Sequence, residues 1–313
     1  MSQEEHNDKL ERPLCYIDGQ VINIASMATA VAASMERARN GIGFTFLTLN
    51  LDHITKRREN FNFRRAYDRA AFVSADGAPV VWLSRAIGAE IERTTGADLV
   101  WPVAAECARL GIPVFLFGST NAVLATVSAQ LTAAFPDLAI AGTEAPCMGF
   151  DPRSSAAEAA ADRIARSGAG IVFVALGAPK QELFADMALQ RHPHLGLYCI
   201  GAALDFAAGA QRRAPEFMAQ HGLEWLWRLS QNPRRMAGRY WKSALTLAWL
   251  AVPWQLERVV NAACFERSRA PMPPACSLPS PQSPAQAQDP EQSQLAEPPT
   301  AVSANPWSQD RGS

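Results

Sequence analysis

A lone aspartate, Asp76, closes the apolar run Phe72-Val73-Ser74-Ala75 and is followed by Gly77. A carboxylate at a strand end, held in a partly dry crevice, can take a proton from a hydroxyl as a general base. Asp-Gly is also common turn chemistry, so the pair alone does not choose between the two. Further on, Gly177-Ala178-Pro179-Lys180-Gln181-Glu182 follows a second apolar run. Glycine and then proline puts Pro179 at the expected first helical position, with free N–H groups and a positive dipole for a phosphate. Lys180 would add charge, and Gln181 would read a sugar or uracil hydroxyl. The plainer alternative is the ordinary cap of a surface helix. In Arg93-Thr94-Thr95-Gly96-Ala97-Asp98, Gly96 is expected to turn the chain, and Asp98 lies in a helical first turn. Arg93 is then available to an anion, unless it simply pairs with Asp98.

The densest cationic stretch is 201–240. It holds Arg212, Arg213, Arg228, Arg234, Arg235 and Arg239, no lysine, and only Asp205, Glu216 and Glu224 in opposition. Positive charge made wholly of guanidinium suits planar, bidentate contacts with phosphate or carboxylate. The same residues would also serve as a solvated basic face. Trp225, Trp227 and Tyr240 interleave with them, and Asn232-Pro233 separates two helical runs.

Several chemistries lack their residues. The five histidines form no ligand cluster, and His192-Pro193-His194 has no partners nearby in sequence. There is no D-x-D pair for a carboxylate-held magnesium ion and no Walker-type loop. No G-x-G-x-x-G follows the first strand, which disfavours a nucleotide-dependent oxidoreductase, and no G-x-S-x-G elbow is present for a hydrolase. No metal or cofactor is expected.

The elements that must position these groups alternate. Expected strands are 44–49, 72–73, 113–117, 138–141, 171–176 and 196–200, most of them solid apolar runs ending in glycine or a small polar residue. Helical patterns lie between them over about 54–70, 78–88, 97–110, 120–135, 154–167 and 180–191. This predicts an α/β, Rossmann-like fold: a mainly parallel sheet with helices on both faces, ligands binding at its carboxyl edge. Ahead of it, Asp18-Gly19 between two short apolar runs predicts a β-hairpin. A helix over about 26–39 should follow, with Ala28, Val31, Ala32 and Met35 on its buried face.

The 313 residues are 48% hydrophobic and 19% charged, with a net charge of -1. Any basic site is therefore local, and nothing draws the whole chain to nucleic acid. Residues 1–12 are polar, read as disordered and not as a signal peptide. An α/β core is expected over 13–210, then an Arg/Trp-rich helical appendage over 211–262. Residues 268–313 contain ten prolines among Ala, Gln and Ser, and are expected to be disordered. The six scattered cysteines fit reduced thiols of a cytosolic protein. The apolar stretch 241–260 is too short, and too interrupted by Pro253, to span a bilayer. It either packs on the core or lies at a membrane interface, and the neighbouring arginines favour the interface.

Taken in order, these motifs extend from Thr48-x-Asn50 and Asp76-Gly77 through the Pro-Lys-Gln-Glu block, Gly201 to Gly209, and Arg213-Ala214-Pro215. They end with Gly222-Leu223-Glu224-Trp225 and Asn232-Pro233-x-Arg235. Over about residues 14–242 the chain resembles the bacterial WecG/TagA/CpsF glycosyltransferases (glycosyltransferase family 26). The resemblance implies an inverting, metal-independent enzyme moving a sugar from a UDP-sugar to a polyprenyl-diphosphate-linked saccharide. Such enzymes work at the cytoplasmic membrane face, in cell-surface or exopolysaccharide synthesis. By resemblance Asp76 is the base, Thr48, Asn50 and Gln181 lie at the pocket, and Arg228 and Arg235 meet the diphosphate. Arg93, Asp98, Gly177, Lys180, Glu182, Asp205 and Arg213 are carried as substrate-binding positions. Two departures stand out: 75–79 reads Ala-Asp-Gly-Ala-Pro where relatives often have a second glycine, and Asn232-Pro233 replaces a frequent Glu-Pro. The rival from another class is a non-catalytic membrane-docking module. The sugar and the oligomeric state, including a homo-oligomer, are left open.

Overall fold

The computed structural model describes residues 13–211, 215, 217–218, 224–231, 238 and 241–250. The hairpin forms as expected, with β1 (Cys15–Ile17) antiparallel to β2 (Gln20–Ile22). Asp18 and Gly19 both take left-handed φ, 51° and 70°, as a two-residue hairpin turn requires. Six strands make the main sheet: β3 (Phe44–Leu49), β4 (Phe72–Ala75), β5 (Val114–Gly118), β6 (Ile140–Glu144), β7 (Ile171–Ala175) and β8 (Gly196–Cys199). Their order is β4-β3-β8-β7-β5-β6, with every pairing parallel. β3, β4, β5, β7 and β8 are buried along their whole length, which is why they read as unbroken apolar runs rather than alternating ones.

Helices cover both faces. One is packed by α2 (Leu51–Glu59), α3 (Phe61–Asp68), α4 (Ala78–Ala86), α7 (Ser155–Arg166) and α8 (Lys180–Arg191), together with the hairpin. The other is packed by α1 (Met27–Arg39), α5 (Gly96–Leu110), α6 (Asn121–Ala134) and α9 (Ala203–Ala207). The chain leaves β3 and β7 toward the first face, and β8 and β5 toward the second. Along β3, β8, β7 and β5 the exit direction therefore reverses three times, the topology at which open parallel sheets receive ligands at their carboxyl edge.

Some boundaries differ from the sequence expectation, for identifiable reasons. The pattern over 54–70 is two helices, because Asn60 ends α2 and caps α3, its side chain accepting from Phe63 N–H at 3.1 Å. α1 buries Ala30, Ala33, Ser34 and Met35, while Ala28 and Ala32 are exposed. Ser34 enters the core because its hydroxyl is satisfied there by the Ala30 carbonyl and the Tyr198 hydroxyl. β6 runs over 140–144 rather than 138–141; it is an edge strand, only partly buried, so apolar composition did not mark it.

The segment before α5 crosses the carboxyl edge. Thr94 donates its N–H to the Ala75 carbonyl at 2.9 Å and accepts from Ser74 Oγ at 2.9 Å, anchoring it on β4. Gly96 then presses on Ile200, just past β8. A Cβ there would lie 2.7 Å from Ile200 Cα and 2.9 Å from its carbonyl oxygen. Gly96 is thus required for close approach and is the first residue of α5, not a turn. We expect Gly96→Ala to lower unfolding free energy by about 1–3 kcal/mol, read as a lower urea midpoint at unchanged m-value.

Candidate active site

β3 and β4 run in register, Thr48 opposite Ser74 and Leu49 opposite Ala75, so the residues past their ends share one corner of the carboxyl edge. Asp76 extends the ladder by donating its N–H to the Leu49 carbonyl at 2.8 Å. Its Oδ2 lies 3.5 Å from both Thr48 Oγ1 and Asn50 Nδ2, donors at the long end of hydrogen-bond range. Asn50 serves two elements. Its Oδ1 caps α2 by accepting from His53 N–H at 3.0 Å, and this turns its NH₂ toward Asp76.

Beneath this corner the Thr48 carbonyl accepts from Tyr67 Oη at 2.8 Å and lies 2.7 Å from His53 Nδ1. Those two side chains are 2.8 Å apart and buried. A bare Nδ1 so close to a carbonyl oxygen would set two lone pairs against each other. His53 therefore carries its proton on Nδ1, and Tyr67 donates to Thr48. Burial, then the nearby Glu182, pushes the Tyr67 hydroxyl well above the usual phenol range, so it stays protonated and keeps donating.

The middle of the edge is bare backbone. Gly177 and Gly201, past β7 and β8, have φ of 73° and 60°, and a Cβ on either would meet nothing within 4 Å. Left-handed φ and open space together suit a floor on which a ligand lies against main chain. At the start of α8, Pro179 is the N-cap and Lys180 the first helical residue, one position later than expected. Lys180 is exposed. Gln181 and Glu182, assigned to substrate from the sequence, are 3% and 1% exposed. Gln181 Oε1 accepts from Gly201 N–H at 2.9 Å and its Nε2 donates to Glu182 Oε1 at 2.9 Å, so the Gln181 amide ties two strand exits together.

A second polar cluster lies further along the carboxyl edge. Ser119, with a left-handed φ of 51° just after β5, donates to Asp205 Oδ1 on α9 at 2.9 Å. β3 and β5 are three strand spacings apart in the sheet order, about 14 Å at 4.8 Å each. Arg93, expected to be available to an anion, lies 3.8 Å from Asp98, which also accepts from Thr95 Oγ1 at 2.8 Å. The local pair is therefore the arrangement observed. Arg213 and Arg235 lie outside the described residues; Arg228 is on α10 (Glu224–Gln231), its side chain outside them. Among the described residues no group of three His, Cys, Asp or Glu is placed to hold a metal ion, and no helix is long and apolar enough to cross a membrane.

A model of the glycosyl transferase WecG/TagA/CpsF family matches residues 15–260. The chain belongs to that family. It is a glycosyltransferase of the WecG/TagA/CpsF type, and the corner built by Thr48, Asn50 and Asp76 sits where a doubly wound sheet receives its ligands. His53, Tyr67 and Ser119 went unnoticed in the sequence of this glycosyltransferase. The one sequence signal for His53 was its place three residues after a capping asparagine.

Two expectations follow. Asn50→Ala should lower stability by about 0.5–2 kcal/mol through loss of the cap, whereas Asn50→Ser should retain most of that stability. Both should lose turnover, because both lose the NH₂ facing Asp76; denaturation and initial-rate assays separate the two roles. The second concerns Glu182, whose carboxyl is pushed up from 4.5 to about 7 by burial. Between those values the folded chain keeps a proton the unfolded chain has released. The contribution of this group to stability should be fullest below pH 4.5, fall as pH rises to about 7, and level off above. At about 1.4 kcal/mol per pH unit the loss from this group is about 3 kcal/mol. Glu182→Gln should flatten that part of the profile in denaturant melts at successive pH values.

Proposed function

We infer that this glycosyltransferase moves a sugar from a UDP-sugar to a hydroxyl of a polyprenyl-diphosphate-linked saccharide, in one inverting step without a metal ion. Asp76 removes the acceptor proton as the acceptor oxygen bonds to the anomeric carbon. The bond from that carbon to the β-phosphate oxygen breaks, and UDP leaves with the electron pair. The observation that carries this is the Asp76 carboxylate at the carboxyl edge of the sheet, 3.5 Å from Thr48 Oγ1 and Asn50 Nδ2, in a chain of this family. Such a carboxylate, oriented by neighbouring donors and backed by a fixed frame, suits general-base work on an alcohol.

The glycine floor and the start of α8 take the diphosphate, where backbone N–H groups and Lys180 stabilise the developing charge. Asp205 with Ser119 takes hydroxyls of the nucleoside, the carboxylate accepting as acidic residues do from ribose. Arg213, Arg228 and Arg235 complete the neutralisation of pyrophosphate, the role a metal would otherwise have.

The acceptor's lipid fits the segment 241–250, which is helical. Ser243 and Thr246 are buried, while Trp241, Leu245 and Trp249 are exposed, one residue per turn along a single face. An exposed Trp/Leu stripe suits the headgroup boundary of the cytoplasmic membrane face. Incubating the purified protein with a panel of UDP-sugars and a short-chain lipid-diphosphate saccharide, with and without chelator, tests the whole proposal. Transfer should persist in chelator, and Asp76→Asn should lower kcat by about 10²–10⁴ while UDP still binds. Near-normal turnover by that variant would remove Asp76 from its role, and chelator sensitivity would overturn metal independence.

A further inference from the structure

Glu182 is the buried acid that the mechanism leaves unused. Oε1 of its carboxyl accepts from Gln181 Nε2 at 2.9 Å. Oε2 meets neither solvent nor any hydrogen-bond partner among the described residues. The titratable groups within its electrostatic reach are Tyr67 on α3, the paired Asp52 and Lys56 on α2, and Cys199 at the end of β8. Tyr67 is in turn within electrostatic reach of Asp76. An unpartnered oxygen on a carboxyl that is 1% exposed is far less costly on the acid than on the anion. In either state Oε1 can accept from Gln181, whose other end holds the Gly201 N–H.

We propose that Glu182 is a positioning residue that works as the neutral acid. By fixing the Gln181 amide it holds the Gly201 turn against the start of α8, and so keeps the glycine floor closed. Ionisation draws water into the pocket and releases that turn. Glu182 touches no substrate; it acts through Gln181 and Gly201. What the floor receives, the donor diphosphate, rests on the function inferred above.

Two readouts test this, and only one requires catalysis. The first is amide hydrogen exchange at Gly201 by NMR, corrected for intrinsic rate, between pH 6 and 8.5. Burial pushes the Glu182 carboxyl up to about 7, so protection in the wild type should fall by about tenfold or more across that range, as each pH unit of linkage is worth a factor of ten. In Glu182→Gln, whose amide replaces the acid without titrating, protection should persist throughout; in Glu182→Ala it should be low at both ends. The second readout is the pH profile of kcat/KM. The wild type should decline above about pH 7, Glu182→Ala should be impaired at every pH, and Glu182→Gln should rescue activity and lose that alkaline limb. Gly201 protection unchanged with pH in the wild type, or an alkaline limb shared by Glu182→Gln, overturns the proposal. If exchange behaves as expected while no UDP-sugar is transferred at any pH, the positioning role stands and the donor assignment falls.

Discussion

The corner that carries Asp76 depends on one backbone oxygen. The Thr48 carbonyl, at the end of a buried strand, is held by the Tyr67 hydroxyl and sits against the protonated nitrogen of His53. Neither partner comes from the sheet: His53 is on α2 and Tyr67 on α3. The grip therefore fixes the strand end relative to both helices, and with it the direction of the Thr48 side chain and the start of the Asn50 cap. A strand end satisfied only by water could choose among several exits; this one is held more tightly, because releasing it would give up both hydrogen bonds to a buried carbonyl. The Asp76 carboxylate inherits its surroundings from that constraint.

The same principle operates across the rest of the edge. Gln181 joins the exits of β7 and β8, Ser119 and Asp205 join β5 to α9, and Thr94 joins the crossing segment to β4. These strand exits are thus tied to another part of the edge by hydrogen bonds. The bare glycine positions lie between these ties, so main chain is presented to a ligand without side-chain motion. If a leaving diphosphate binds there, as proposed, backbone N–H groups at the start of α8 would need no reorganisation as its charge develops.

Fold and site were legible in the sequence to different depths. The fully buried strands and the Asp18-Gly19 turn were plain, because burial on both faces leaves an uninterrupted apolar run and a two-residue hairpin needs those residue types. Asp76 and the Gly177 block were legible as strand exits. What could not be read was which polar side chains turn inward. Ser34, Gln181 and His53 carry ordinary surface chemistry in sequence, and the partner each finds, between 5 and 164 residues away, lets it be buried; Glu182 is buried with only its neighbour Gln181 as a side-chain partner among the described residues. Gln181 is the clearest instance: its neighbours suggested a side chain reaching for substrate, whereas its partner is the Gly201 amide, twenty residues on in the chain. The Asn60 break in the 54–70 pattern was missed likewise, since a capping asparagine and a mid-helix asparagine look the same without the backbone.

α2 gives the proposed acceptor a geometry. Its first turn is capped by Asn50, beside Asp76, and its last residues dock the helical segment 241–250. Glu59 accepts from Lys242 at 2.8 Å, Thr55 and Thr246 hydroxyls are 2.9 Å apart, and the Arg58 guanidinium lies 4.2 Å over the Trp249 ring. Asp76, through the capping Asn50, and the exposed Trp241/Leu245/Trp249 stripe therefore both lie against one nine-residue helix, the first at its start and the second from its middle to its end, a helix about 13 Å long. If that stripe rests at lipid headgroup depth, as proposed, a hydroxyl reaching Asp76 would sit within about a helix length of the membrane surface. A long saccharide would carry its growing end past the base, while a lipid-diphosphate bearing one or a few sugars would bring it to the right height. On the proposed function, acceptor length would therefore depend on the span of α2, and lengthening that helix by a turn would displace the preference.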